Sequence, residues 1–132
     1  MVITTSTVTI EQRRKHVRDL ADITSVTIND ADLDDRIDNW DEVAKTYFQV
    51  QHLTLDGTES YFRNLLTVAG LLASVAIRQS IGGRDNIDIA KDQKELAKSI
   101  VNAQNDKEAE QGTEILIKTS GVDTVNDRGD FV

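Results

Sequence analysis

Five aspartates fall within twelve positions in "NDADLDDRIDNW", residues 29–40, and Asp41 and Glu42 follow directly. Asp30, Asp32 and Asp34 have the alternate spacing of the first ligands of a calcium-binding loop. Such a loop needs glycine at its sixth position for the sharp turn and a bidentate glutamate at its twelfth. Those positions hold Asp35 and Asp41. Leu33, Ile37 and Trp40 also run through the stretch at helical spacing, and a helix would splay the three carboxylates around its axis. Asp30 and Asp32 suit a first helical turn, where the dipole favours negative charge. The stretch is therefore expected to be the acidic start and outer face of a helix, with no metal bound.

Other candidate chemistry is sparse. His16 and His52, the two histidines, lie in different segments with no carboxylate at a telling distance, and read as surface or packing residues. "IGGRDN" has neither the spacing nor the Lys-Ser/Thr ending of a phosphate-binding loop, so Gly82–Gly83 reads as a helix stop. No nucleophile elbow or metal-binding histidine pair is present, and "RGD" at 128–130 is too short a match to count. With no cysteine there is no disulfide, thiolate nucleophile or zinc–cysteine site. No catalytic residue, metal or cofactor is expected. Arg13, Arg14, Lys15 and Arg18 form the one basic cluster; they could touch phosphates, but salt bridges to the neighbouring acidic helix are the favoured reading.

The elements that would position these residues follow from periodicity. Residues 2–8, rich in Val, Ile and Thr, read as an extended arm. Thr9 and Gln12 form a capping box for a short helix to about Asp22, burying Ile10, Val17, Leu20 and Ala21, with the basic cluster on its other face. A second helix from about Asn29 carries Leu33, Ile37, Trp40, Val43, Ala44, Tyr47 and Phe48 at helical spacing. A third runs from about Thr58 to Ile81. Its middle, "LLTVAGLLASVAI", is apolar on nearly every face and is expected to form the core through Leu65, Val68, Leu72 and Val75, with Trp40 packing beside it. That run is 13 residues, short of the roughly 20 needed to span a bilayer. A fourth helix, about 86–105, should turn Ile89, Leu96, Ala97, Ile100 and Val101 inward. "TEILIKTSGVDTV" alternates like a strand, and Ile115, Leu116, Ile117, Val122 and Phe131 are the candidate docking residues of a tail.

The expected architecture is all-α: a small bundle of about four helices around a central apolar helix, with an extended arm over 1–8, the bundle over 9–105, and an acidic tether and strand-like docking tail over 106–132. At 132 residues the chain fits one domain. Its N-terminus lacks the regions of a signal peptide, so secretion is not expected. The net charge of −8 opposes non-specific binding to nucleic acid or anionic membranes. Sixteen Asp against seven Glu and seven Lys would suit a high-salt cytoplasm.

The order of an acidic helix start, "NDADLDDRIDNWDEVAKTYF", an apolar helix, "SYFRNLLTVAGLLASVAIRQSIGG", and a polar helix, "DIAKDQKELAKSIVNAQN", resembles the head–tail connector (adaptor or head-completion) proteins of tailed double-stranded DNA viruses, over about residues 25–105. The resemblance implies a non-enzymatic virion protein assembled in the host cytoplasm. It implies a homo-oligomeric ring, typically of twelve subunits, under the portal protein and above the next connector or tail protein. DNA would pass through its channel without sequence-specific binding, and an acidic wall would not grip the phosphates. With the aspartate excess, a virus of a halophilic host is expected. The alternative is a small regulatory DNA-binding protein that uses the basic first helix.

Overall fold

The fold is taken from a computed structural model, which describes residues 2–5, 7–48 and 60–119, with side chains for all of these but 60, 61 and 108–119. Four helices follow one another: α1 (Ile10–Ala21), α2 (Asp30–Tyr47), α3 (Ser60–Ile81) and α4 (Arg84–Thr119). Their boundaries are set by local chemistry. Thr9 caps α1 through the Gln12 amide, and the Gln12 side chain returns to the Thr9 N–H, so two orphan donors of the first turn are satisfied. Asp22 ends α1 in the left-handed conformation (φ 55°). Asn29 caps α2 by accepting from the Asp32 amide. Between α3 and α4 the chain reverses in two residues, Gly82 (φ 79°) and Gly83 (φ 92°), a backbone that residues with a Cβ rarely adopt.

α3 is the central element and packs against α1, α2 and α4. Leu65, Leu66, Val68, Ala69 and every residue from Leu71 to Ile77 except Ala76 are buried. Phe62–Ile81, 20 residues of mean hydropathy 1.3, is long and apolar enough to cross a membrane by length and composition, yet most of it lies inside the bundle. One apolar cluster gathers Ala44, Phe48, Leu65, Val68, Leu72, Ala97 and Val101. The other joins Val2, Val17, Ala21, Leu33, Ile37, Ala73 and Ile77, and Trp40 borders both. At Gly70 an added Cβ would lie 3.0 Å from His16 Cδ2, so the bare glycine leaves room for the His16 ring against α3.

The α3–α4 pair is antiparallel. Asn64 Nδ2 donates to Gln104 Oε1 (2.8 Å) and Ser74 Oγ to Gln93 Oε1 (2.7 Å). This register brings Ser60, the first residue of α3, level with about residue 108 of α4. At 1.5 Å per residue α3 is about 33 Å long and α4 about 54 Å. α4 therefore continues past the start of α3.

Several expectations are corrected. The strand and acidic tether expected after residue 105 are helical as far as Thr119, so Ile115, Leu116 and Ile117 lie on the backbone of α4; among the described residues there is no strand. Val122 and Phe131 lie outside the described residues, as does His52. Alternation of β-branched residues favours a strand only while no helix is competing. Here α4 is already nucleated, and each added residue then needs only one more hydrogen bond. The single glycine in the way, Gly112, costs about 1 kcal/mol, too little to stop it. Ile89 and Leu96 also do not point inward: they are 41% and 52% exposed, and the inward line of α4 is Ala90, Ala97, Val101 and Gln104. Small residues on that line let α4 sit close to α3. Finally, Arg13 is not on the outer face of α1.

Candidate functional site

Arg13 lies on the same stripe of α1 as Val17 and Ala21, and Asp41 on the same stripe of α2 as Leu33, Ile37 and Ala44. Helical periodicity therefore carries both charges inward, where their side chains are 4% and 1% exposed. Arg13 Nη2 donates to Asp41 Oδ1 (2.6 Å) and Nη1 to Oδ2 (2.8 Å), a two-pronged pair. The pair also holds the N-terminal arm. Ile3 N–H donates to Asp41 Oδ2 (3.0 Å), while Ile3 C=O accepts from Arg13 Nη1 (2.9 Å). Val2 is buried in the second apolar cluster, and Ile3 packs against the first. A charge taken out of water is tolerated only when its hydrogen-bonding capacity is filled. Part of that filling here comes from the backbone of the arm.

Outside this buried pair, α1 and α2 are joined by a ladder of half-exposed ions. Arg14 makes a two-pronged contact with Asp34 (2.8 and 2.6 Å), and Arg18 reaches Asp30 (2.8 Å) and the Ile28 carbonyl (2.9 Å). Hydrogen bonding to Asp34 raises the affinity of the Arg14 guanidinium for its proton, and in return holds the Asp34 carboxyl below the usual carboxylate range. Lys15 pairs along its own helix with Asp19. The basic cluster thus comes apart in the structure: Arg13 is buried, Arg14 and Arg18 face α2, and Lys15 stays outside. Asp30 and Asp34, two of the would-be calcium ligands, are engaged by arginines on a helix. Among the described residues no group of three or more His, Cys, Asp or Glu could hold a metal ion.

A second polar cluster closes the other end of α1. The Leu20 carbonyl, left without an intrahelical donor, accepts from Arg78 Nε (3.0 Å), Arg78 Nη2 (2.7 Å) and Gln93 Nε2 (2.8 Å). Arg78 also donates to Asn86 Oδ1 (2.8 Å). A buried guanidinium at the negative end of a helix is favourably placed, and here it ties α1, α3 and α4 together. His16, beside Gly70, shares a cleft with Val8, Gln12, Arg63 and Leu66. Burial, aided by Arg13 and opposed by Asp19, lowers its pKa from the ordinary 6.5.

The residues singled out for packing are gathered on and around α3: Leu65, Val68, Leu72 and Val75 are buried and Trp40 is partly so. Asp41 and Arg78 were not singled out, and a signal for Asp41 was available. An acid at inward spacing from Leu33 and Ile37, and a base at inward spacing from Val17, each break an otherwise apolar stripe, and two such breaks of opposite sign invite pairing. Arg78 carried no comparable mark. On α4, the exposed Ile89 and Leu96 with the partly buried Ile100 form an apolar flank beside the packed face. In comparisons with protein-family models, curated proteins and solved structures, nothing matches the chain at a significant level.

Proposed function

We propose that the protein is a non-enzymatic structural subunit that assembles with copies of itself, as a head–tail connector of a tailed double-stranded DNA virus would. The observation that supports this reading best is α4. It continues past the start of α3, and it carries the apolar flank of Ile89, Leu96 and Ile100 beside its packed face. A line of exposed apolar side chains along a helix is a surface on which a second helix can pack. The cover of α3 does not itself call for neighbours, because α1, α2 and α4 bury most of it. In the connector reading the copies form a ring under a portal protein, and the acidic surface lines or borders a passage for DNA. Reading DNA through α1 is the weaker alternative, because Arg13, Arg14 and Arg18 are already held by carboxylates of α2.

Light scattering coupled to size exclusion in molar salt tests the reading. A closed oligomer that Leu96→Ser disperses supports it. A monomer at every concentration overturns self-assembly and the ring with it.

A further inference from the structure

We infer that the Arg13–Asp41 pair, with the apolar walls on either side, is a peptide-recognition socket for an extended pair of β-branched residues, which Val2–Ile3 of the same chain occupy and which the same residues of a second copy can enter. In an extended backbone, the N–H and C=O of one residue point the same way, and successive side chains point to opposite sides. The socket matches both properties. Asp41 accepts the Ile3 N–H and Arg13 donates to the Ile3 C=O, so the ion pair plays the part that a neighbouring strand's amide groups play in strand addition. Val2 enters the cluster of Val17, Leu33, Ile37 and Ile77, while Ile3 packs against the other cluster.

The socket is organised without its occupant, because the two direct contacts between Arg13 and Asp41 fix both side chains. Emptying it removes a donor from one buried charge and an acceptor from the other, so it favours being filled. The connection from the socket to α1 is light. Val8 packs against the first cluster and stays with α1, but before it Thr4 and Thr7 are exposed, and the hydrogen bonds of Thr5 are local, to Thr7 and Val8. Passing the arm to another copy therefore rebuilds every socket contact and gives up little else, the condition under which elements are exchanged between protomers. The inference does not depend on a closed ring.

The chain lacks cysteine, so a nitroxide placed on Thr4→Cys in the full chain reports the arm alone. The label should be immobilised at rest. A synthetic peptide of residues 1–8 should release it in a dose-dependent way, with the helical signal and Trp40 fluorescence unchanged. The same peptide carrying Ile3→Pro lacks the N–H that Asp41 accepts and should be weaker by about tenfold or more. Failure of the natural peptide to release the arm at millimolar concentration, or equal potency of the proline peptide, overturns the socket. For the second copy, differently isotope-labelled chains are mixed, unfolded and refolded at high concentration. Proton contacts between Val2 of one copy and Val17 of the other support exchange; contacts confined to one copy overturn that part.

Discussion

The two seams of this bundle are built from different materials. α3 and α4 meet through small and aliphatic side chains, with neutral hydrogen bonds at Asn64–Gln104 and Ser74–Gln93. α1 and α2 touch each other little and are joined by Arg13–Asp41, Arg14–Asp34 and Arg18–Asp30. The first seam depends on shape, and neither salt nor pH acts strongly on it. The second depends on charge and on who shares it, since one of its ion pairs is completed by the backbone of the arm. Within one small domain, the seam that positions the core is insulated from solution conditions, and the outer ladder of the charged seam, Arg14–Asp34 and Arg18–Asp30, is open to them.

The most damaging way to break the charged seam is Asp41→Ala, which leaves a buried guanidinium unpaired. It should cost about 3–5 kcal/mol in urea unfolding. The double change Arg13→Met with Asp41→Leu should recover most of the loss. If Asp41→Ala costs less than about 1 kcal/mol, the pair is hydrated and the contrast between the seams is false.

Leu72→Ala tests the apolar seam. Its side chain is 5% exposed in the central cluster, and its loss should cost about 2–5 kcal/mol. That cost should be the same in low and molar salt, whereas the effect of breaking the more exposed Arg18–Asp30 pair should shrink with salt.

Two smaller effects sharpen the comparison through pH. His16 titrates below 6.5 in the folded protein, so the unfolded chain binds the proton more readily. Stability should fall as pH drops from about 6.5 through the folded value, and His16→Gln should flatten that slope. Asp34, held low by Arg14, contributes stability above its ordinary value of 3.8, and this is lost as pH falls further, through the folded value. Arg14→Ala should remove that acid limb while lowering stability at neutral pH only slightly, as exposed ion pairs do.

The sequence made some of this legible. The capping box at Thr9 and Gln12, the start of the second helix near Asn29 and the stop at Gly82–Gly83 are local signals, and local signals survive folding. The apolar middle of α3 was equally plain, because no alternative structure hides so many large side chains. Which face of α4 points inward was not legible. Ile89 and Leu96 are larger than Ala90 and Ala97, and hydrophobicity alone turns them to the core; the close approach of α3 reverses the choice. The socket needed two residues 28 positions apart in the chain and an arm a further ten away. No window along the sequence contains all three.

The placement of the arm also fixes an order of events. The Gly82–Gly83 reversal joins α3 and α4 through contacts close in sequence, the kind that form fastest because little chain entropy is spent in closing them. Ile3 must wait for Asp41, 38 residues later, and for α1 and α2 to come together first. The arm is thus the last part of the bundle to reach its place. Trp40, which borders both clusters, should report two refolding phases after a denaturant jump. The slower one should vanish when residues 2 and 3 are replaced by glycine.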